Sequence, residues 1–207
     1  MTDPKINEQK LDVLKEAGNI GAGNAATALS HFLSSRINMS VPEVGVIKFD
    51  EIANFLENSQ DKVIGVYLKI EGDAPGTIAL ILDYVDGLKL VNELMSREAP
   101  KDILNKELEE MEISALKETG NITASSYLGA LAMLTKLEFQ PSTPNISVDK
   151  SNSLLETITS QVREVSERVL LIETIFSNEN NNIGGRFFLI PSMGSFDKIL
   201  NSLGIEY

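Results

Sequence analysis

The chain has 207 residues, of which 43% are hydrophobic, with a formal net charge of −12 and no cysteine. This composition is typical of a folded globular protein, and the length suits one sizeable domain or two small ones sharing a core. The negative charge argues against a nucleic-acid partner, because phosphates would be repelled. The absence of cysteine excludes disulfides and thiolate metal sites. We expect a cytoplasmic protein with no membrane insertion, because the N-terminal segment lacks the apolar core of a signal peptide and the longest apolar run, 78–82, is short.

An internal repetition is the most informative pattern in the sequence. The segments 11–33 and 113–135 match at a constant offset, and the ends of the two halves match after a small insertion. Because these blocks recur in the same order, we infer a tandem duplication. The paired positions are Leu14 with Leu116, Lys15 with Lys117, Glu16 with Glu118, Gly18 with Gly120, Asn19 with Asn121, Ile20 with Ile122, Gly76 with Gly185, Leu80 with Leu189, Lys89 with Lys198, and Asn92 with Asn201.

The first half predicts a long helix, a proline-marked turn, a strand, a short helix, a hairpin and a closing helix. The strands of the hairpin follow from the alternation of side chains along the first of them. The predicted ranges are 8–35 for the long helix, 43–49 for the strand, 51–58 for the short helix, 62–72 with 76–83 for the hairpin, and 85–97 for the closing helix.

The second half repeats this order, so we predict an α+β fold made of two pseudo-symmetric halves. Each half contains a long helix, about three strands and a closing helix, and the halves share one core in a single domain over 1–207. Strand order does not follow from the sequence. The repeats cover 8–97 and 105–204, joined by a short polar connection near 96–104. In the second repeat the predicted ranges are 105–136 for the long helix, 146–150 for the strand, 153–162 for the short helix, 168–177 with 184–191 for the hairpin, and 195–203 for the closing helix.

The glycines of the first long helix allow two interpretations, a phosphate-binding loop or close helix packing. Gly18, Gly21 and Gly23 do not have the spacing of a dinucleotide-binding loop, and a helical pattern rather than a strand precedes them. In the repeat, Gly21 becomes Thr123 and Gly23 becomes Ser125, which a phosphate-cradling loop is not expected to permit. We therefore interpret these glycines as small packing residues that let another element approach the helix.

A carboxylate and a carboxamide lie side by side on each long helix. Glu16 and Asn19 are three residues apart, as are Glu118 and Asn121, so each pair shares one helix face. Asparagine is unfavourable inside a helix by about 0.5–1 kcal/mol relative to alanine. A solvated polar face is the simplest explanation for one such pair. Its recurrence at equivalent positions, while other polar positions drift, instead favours a functional site that includes Asp12 and Ser114 one turn earlier.

The complete pattern resembles the signature of the CheC/CheX/FliY family of chemotaxis phosphatases. This signature has Asp or Ser, then Glu, then Asn, with a proline further along the chain. With two such motifs, this chain resembles the two-motif members of the family rather than the CheX-like ones, which typically carry one working motif. It occurs here twice, as Asp12, Glu16, Asn19 and Pro42, and as Ser114, Glu118, Asn121 and Pro144.

The resemblance implies hydrolysis of the aspartyl phosphate on the response regulator CheY. In this family the Asn orients the attacking water and the Glu contacts a lysine of the regulator, roles that would fall to Asn19 and Asn121 and to Glu16 and Glu118. The resemblance also implies CheD as a partner, and we expect a monomer or a heterodimer with CheD. We expect no cofactor or metal of its own, since the regulator would supply Mg²⁺.

Three alternatives remain beside the phosphatase. A non-catalytic adaptor that binds CheD or flagellar switch components is the strongest, although both motifs are complete. A nucleotide-binding enzyme is weakened by the glycine replacements. A hard-cation site at Asp12, Glu16 and Asn19 would have too few converging oxygens on one helix face. His31 is the only histidine, so the sequence excludes a histidine-rich metal site, and we expect it on the helix surface.

Overall fold

The computed structural model describes residues 8–33, 36–56, 62–97, 106–160, 164–177 and 182–204. The two halves have the same order of elements, which confirms the predicted α+β fold with an internal repeat. In chain order the elements are α1 (Glu8–Leu33), β1 (Asn38–Ser40), β2 (Val44–Lys48), a 3-10 helix (Phe49–Glu51), α2 (Ile52–Leu56), β3 (Val63–Gly72), β4 (Gly76–Asp83), α3 (Tyr84–Leu94), α4 (Glu110–Thr135), β5 (Phe139–Pro141), β6 (Asn145–Asp149), α5 (Ser151–Thr159), β7 (Arg168–Ser177), β8 (Asn182–Pro191) and α6 (Ser195–Ser202).

Several predicted boundaries were wrong, for local reasons. Helix α4 begins at Glu110 rather than near 105, because Glu109 caps it and donates its backbone N–H to Glu112 Oε2 at 2.9 Å. Helix α3 ends at Leu94 rather than 97, because Ser96 has a φ of 51°. The short strands β1 and β5 were not predicted, since three residues are too few to show an alternating pattern. The predicted ends at 34–35, 57–58 and 161–162, and most of the connection at 96–104, lie outside the described residues.

The strands form one antiparallel sheet in which the two halves exchange their edge strands. The order is β1-β7-β8-β4-β3-β5, with β2 also pairing with β7 and β6 also pairing with β3. The first strands of each half therefore pair with the hairpin of the other half, while β4 and β8 pair at the centre. Neither half can complete its part of the sheet alone.

Helices cover both faces of the sheet, so the protein has three layers. On one face α1, α4, α3 and α6 pack on the larger apolar core, which includes Leu14, Leu116 and Tyr127. On the other face α2 and α5 pack on a smaller core that includes Ile52 and Leu154. No helix within the described part of the chain is both long and apolar enough to cross a membrane.

The symmetry of the sheet determines how the two long helices run. Strands β4 and β8 are antiparallel neighbours at the centre, so the axis relating the halves is perpendicular to the sheet. Such an axis reverses the direction of elements lying along the sheet, and α1 and α4 share the same face. We infer that these helices run in opposite directions across it.

The contact between α1 and α4 is close because it contains a glycine. A Cβ added to Gly21 would lie only 2.9 Å from the Cα of Tyr127. The Tyr127 ring packs edge-on against Phe187 at 5.0 Å between centroids, and its hydroxyl bonds to the Thr174 hydroxyl at 2.8 Å. Burial raises the pKa of Tyr127 to about 12 despite the Thr174 hydrogen bond, so the phenol stays protonated at neutral pH.

The glycines of α1 do not all serve packing, so the prediction was right for two and wrong for the third. Gly18 is a packing residue as Gly21 is, because a Cβ on Gly18 would come within 3.3 Å of Val41 and of Val44. Gly23 is exposed and has no neighbour within 4 Å of such a Cβ. Packing therefore explains Gly18 and Gly21 but not Gly23.

A buried ion pair holds the start of α4 against the end of the first half. The Glu112 side chain is fully buried and pairs with Lys106, while Arg97 Nη1 lies 3.9 Å from Glu112 Oε1. Burial by itself raises the pKa of the Glu112 carboxyl, but the Glu109 N–H and the Lys106 and Arg97 cations outweigh it. The net pKa of Glu112 is lower than its ordinary value of 4.5.

Two glycine substitutions test the helix contact. Gly21→Ala is expected to lower the free energy of unfolding by about 1–3 kcal/mol, because the Tyr127 backbone must move. Gly23→Ala, the matched control, is expected to raise it by about 0.5–1 kcal/mol, since alanine favours the helix and meets nothing. Urea unfolding of both variants measures this, and equal effects of the same sign would contradict the proposed contact.

Acid unfolding tests the Glu112 ion pair. The pKa of Glu112 is lower in the folded protein, so its carboxylate contributes stability above about pH 4.5 that is lost as the pH falls through the folded pKa. We expect Glu112→Gln to lower the unfolding free energy most at neutral pH and progressively less below pH 4.5. Urea unfolding from pH 7 to pH 3 measures the difference, and a pH-independent difference would contradict this role.

Candidate functional site

The first motif lies on the solvent side of α1. Asp12, Glu16 and Asn19 are all exposed, while Ala17 and Gly18 of the same turns are buried. Residues at i, i+4 and i+7 share one helix face, so the three polar side chains form one stripe along the helix. The buried residues fix the orientation of the helix, and this keeps the stripe in water.

The second motif repeats this arrangement on α4 with less exposure. Ser114 is exposed, whereas Glu118 and Asn121 are half-buried. Leu116 on the opposite side of the helix is fully buried, and a Cβ on Gly120 would come within 2.9 Å of Val66 Cβ. The second site is thus held against the sheet by the same kind of contact as the first.

The two motifs point away from the contact between the helices. Successive residues of an α-helix advance by about 100°, so Asn19 projects about 160° from Gly21, and Glu118 about 180° from Tyr127. Gly21 and Tyr127 are the residues that meet. The two sites therefore lie on opposite flanks of the helix pair, each open to solvent.

The four central side chains make no contact that would occupy them. Among the described residues, Glu16, Asn19, Glu118 and Asn121 form no side-chain hydrogen bond or ion pair. Each carboxylate and carboxamide is therefore free to bind a group from outside the chain. The structure places each Glu on the same helix as its Asn, one turn apart.

The first position of the motif differs between the sites. The Ser114 hydroxyl donates to the Glu110 carbonyl at 2.9 Å, within its own helix. Asp12 has no such bond to the described residues, so its carboxylate remains open to solvent. The first site consequently presents two carboxylates, and the second presents one carboxylate and an occupied hydroxyl.

The two prolines lie in the breaks between the short edge strands. Pro42 is exposed between β1 and β2 and follows Val41, which packs against Gly18 beside Asn19. Pro144 is half-buried between β5 and β6, where Ser142 exchanges hydrogen bonds with the backbone of Lys69. A proline suits these positions because its missing N–H is not needed by the ladder. Both prolines are well placed to shape the chain beside the helices, rather than to act in chemistry.

A cleft at the carboxyl end of α1 was missed by the sequence analysis. It has a volume of about 510 Å³ and is lined by Thr27, Ser30, His31, Arg36 and Asn38, among others. His31 is exposed, as expected. The spacing of Ser30 from Asn19 could have indicated that Ser30 lies on the motif face. The cleft itself could not be predicted, because the return of residues 36–38 against the helix depends on tertiary structure.

The chemistry of these sites is limited to binding and orientation. Within the described residues, no three histidine, aspartate or glutamate side chains come together as metal ligands. A carboxamide can donate and accept hydrogen bonds without adding charge, and a carboxylate attracts a cation. Each site can thus orient water and hold a positively charged group, provided that the reacting group comes from a partner.

Comparison with known proteins places the chain in a family. The model of the CheC-like family matches residues 10–46 and 111–148, which contain both motifs. The chain is 33% identical over 201 residues to a protein of Bacillus subtilis (strain 168) named CheY-P phosphatase CheC, covering 96% of each.

Solved structures agree with the fold. FliY of Thermotoga maritima superposes with a TM-score of 0.71 at 21% identity, covering 97% of this chain and 98% of that one. FliM, from a FliG–FliM complex of H. pylori, superposes with a TM-score of 0.66 at 12% identity, covering 95% and 100%. Because a relative one-third identical matches nearly the whole chain and the family model matches both motif helices, the protein belongs to the CheC-like family.

Proposed function

We propose that this protein hydrolyses the aspartyl phosphate of the chemotaxis response regulator CheY. One observation carries the proposal: an unpaired Glu–Asn pair faces solvent at equivalent positions of both long helices. The name of the Bacillus subtilis relative, CheY-P phosphatase, supports the same activity. Because the motif helix is open to solvent, the phosphoryl group would be carried to it by the partner protein.

Asn19 and Asn121 act by orienting water. An aspartyl phosphate is already activated for hydrolysis, so the remaining requirement is a water in line with the phosphorus atom. The carboxamide hydrogen-bonds that water and adds no negative charge beside the phosphoryl oxygens. The regulator supplies the Mg²⁺ that neutralises those oxygens, and this chain contributes no metal or cofactor.

Glu16 and Glu118 act in docking rather than in proton transfer. A carboxylate beside a phosphoryl group would repel it, so the favourable role is an ion pair with a lysine of the regulator. Each Glu lies one turn before its Asn, and a bound lysine would therefore hold the regulator with its phosphate close to the carboxamide. Asp12 adds a second carboxylate to the first site.

The two sites work independently. They lie on opposite flanks of the helix pair, so a regulator bound at one does not block the other. Both are attached to one rigid sheet, in which each half completes the other. The activities of the two sites should therefore add.

A non-catalytic adaptor is the second candidate function. The FliM relative of the same fold was solved in complex with FliG, and a flagellar or CheD partner could likewise bind this chain without hydrolysis. CheD as a partner, a cytoplasmic location and a monomer or CheD heterodimer remain part of the proposal. Free carboxamides at both sites favour the phosphatase over the adaptor, because an adaptor has no need of two Glu–Asn pairs without partners in the chain.

Substitution of the asparagines tests the reaction. Asn19→Ala and Asn121→Ala are each expected to remove one site and leave the other, and the double variant is expected to lose about 10²–10³-fold in rate. The rate of inorganic phosphate release from an excess of phosphorylated regulator, minus the rate of the regulator alone, measures this activity. Asn24→Ala, another exposed asparagine of α1, is the control.

Two outcomes of this experiment would overturn parts of the proposal. A double variant as fast as the unmodified protein would exclude the asparagine mechanism. An unmodified protein that does not accelerate phosphate release, with or without CheD, would favour the adaptor.

Kinetics of the glutamate variants separate docking from chemistry. With Asn121→Ala as background, Glu16→Gln is expected to raise the KM for the phosphorylated regulator about tenfold with little change in kcat. The effect should shrink as salt rises, because exposed charges are screened. KM and kcat measured at low and high salt test this, and a lower kcat at constant KM would instead assign the glutamate to the chemical step.

A further inference from the structure

The motif face of α1 continues beyond Asn19 into the cleft at the end of the helix. Ala26 and Ser30 follow Asn19 by seven and eleven residues, so each lies within about 20° of its direction, at about 10 and 16 Å along the helix. Both residues line the cleft. A partner domain that docks at Asn19 would extend over this distance, so the cleft lies within its reach.

The wall of the cleft is held in place by two hydrogen bonds. Ser30 Oγ accepts the Ile37 N–H at 3.0 Å and donates to the Ile37 carbonyl at 3.1 Å. The chain after α1 is therefore fastened back against the helix. This places Arg36 and Asn38 beside Thr27 and His31 around one opening of about 510 Å³.

The cleft carries one positively charged side chain, that of Arg36. Arg36 is exposed, and within the described residues no carboxylate pairs with it. His31 adds a hydrogen-bond donor at the same opening. An exposed guanidinium without a carboxylate partner, within reach of the motif face, suits an anionic group.

The second site lacks this feature at the equivalent positions. Met133 replaces His31, and Glu138 replaces Arg36. Glu138 is exposed and accepts a hydrogen bond from Gln140 at 2.7 Å, and its N–H donates to Asp73 Oδ2 at 2.9 Å. The cations at this end of α4 are also engaged, because Lys136 Nζ donates to the Met133 carbonyl at 2.8 Å and Lys198 Nζ lies 3.0 Å from Asp73 Oδ1. Arg36 at the end of α1 has no such partner among the described residues.

We propose that the cleft at His31 and Arg36 is a second docking point of the first site, which binds a carboxylate-bearing segment of the same phosphorylated regulator. The inference rests on the proposed function. It makes the two sites unequal: the first holds the regulator at Glu16 and at Arg36, and the second holds it at Glu118 alone. An alternative role for both residues, favourable interaction with the carboxyl end of α1, would act on stability and affect both sites alike.

Charge reversal in two backgrounds tests the inference. Arg36→Glu in the Asn121→Ala background, where only the first site works, is expected to raise KM about tenfold at unchanged kcat, because a rim charge acts on association. The same substitution in the Asn19→Ala background reports on the second site and should leave its KM within twofold. Arg36→Lys in the first background should restore most of the affinity, and salt should reduce the effect.

The outcomes are distinguishable from failure of the proposed function. Equal KM changes in both backgrounds, or none in either, would overturn the cationic docking point while leaving the phosphatase intact. If neither background hydrolyses the phosphorylated regulator before Arg36 is changed, the proposed function fails and the docking inference fails with it.

Discussion

The contact between Gly21 and Tyr127 is the interaction on which the arrangement of the sites depends. Without a side chain at Gly21 the two long helices approach until the Tyr127 backbone lies against α1. The tyrosine is in turn fixed by the Thr174 hydroxyl and the Phe187 ring, both on the sheet. This contact sets the rotation of each helix about its own axis. Because the motifs lie on the opposite side of each helix, it also turns both Glu–Asn pairs toward solvent.

The exchange of edge strands makes this arrangement rigid. Strands β1 and β2 of the first half pair with β7, and β5 and β6 of the second half pair with β3. The strands that follow each motif helix are therefore anchored in the other half. Two sites that arose by duplication are thus held at fixed positions on one body, and each flank can receive a partner without disturbing the other.

A solvent-exposed helix is an unusual place for catalysis, and the proposed reaction explains why it suffices. Most active sites are concave because they must exclude water and supply charge. In the proposed reaction the partner would bring the activated phosphoryl group and its metal, and the chain would add an oriented carboxamide and a docking carboxylate. Between the two halves of the chain the Glu–Asn pair is kept while several surrounding positions differ. Arg36 and Glu138, which occupy equivalent positions of the two halves, are one example of opposite charge.

The duplication, the α+β class, nearly all of the elements and the pairing of Glu with Asn on each helix could be predicted without a structure. These follow from local periodicity and from comparison of the two halves, which acts as an internal control. The sequence did not predict β1 and β5, the helix cap at Glu109 or the exposed position of Gly23. The exchange of strands between the halves, the opposite flanks of the two motifs and the cleft beside the first motif became visible in the folded protein alone. These depend on contacts between residues far apart in the chain, such as Gly21 with Tyr127, and local patterns carry no information about which distant residues meet.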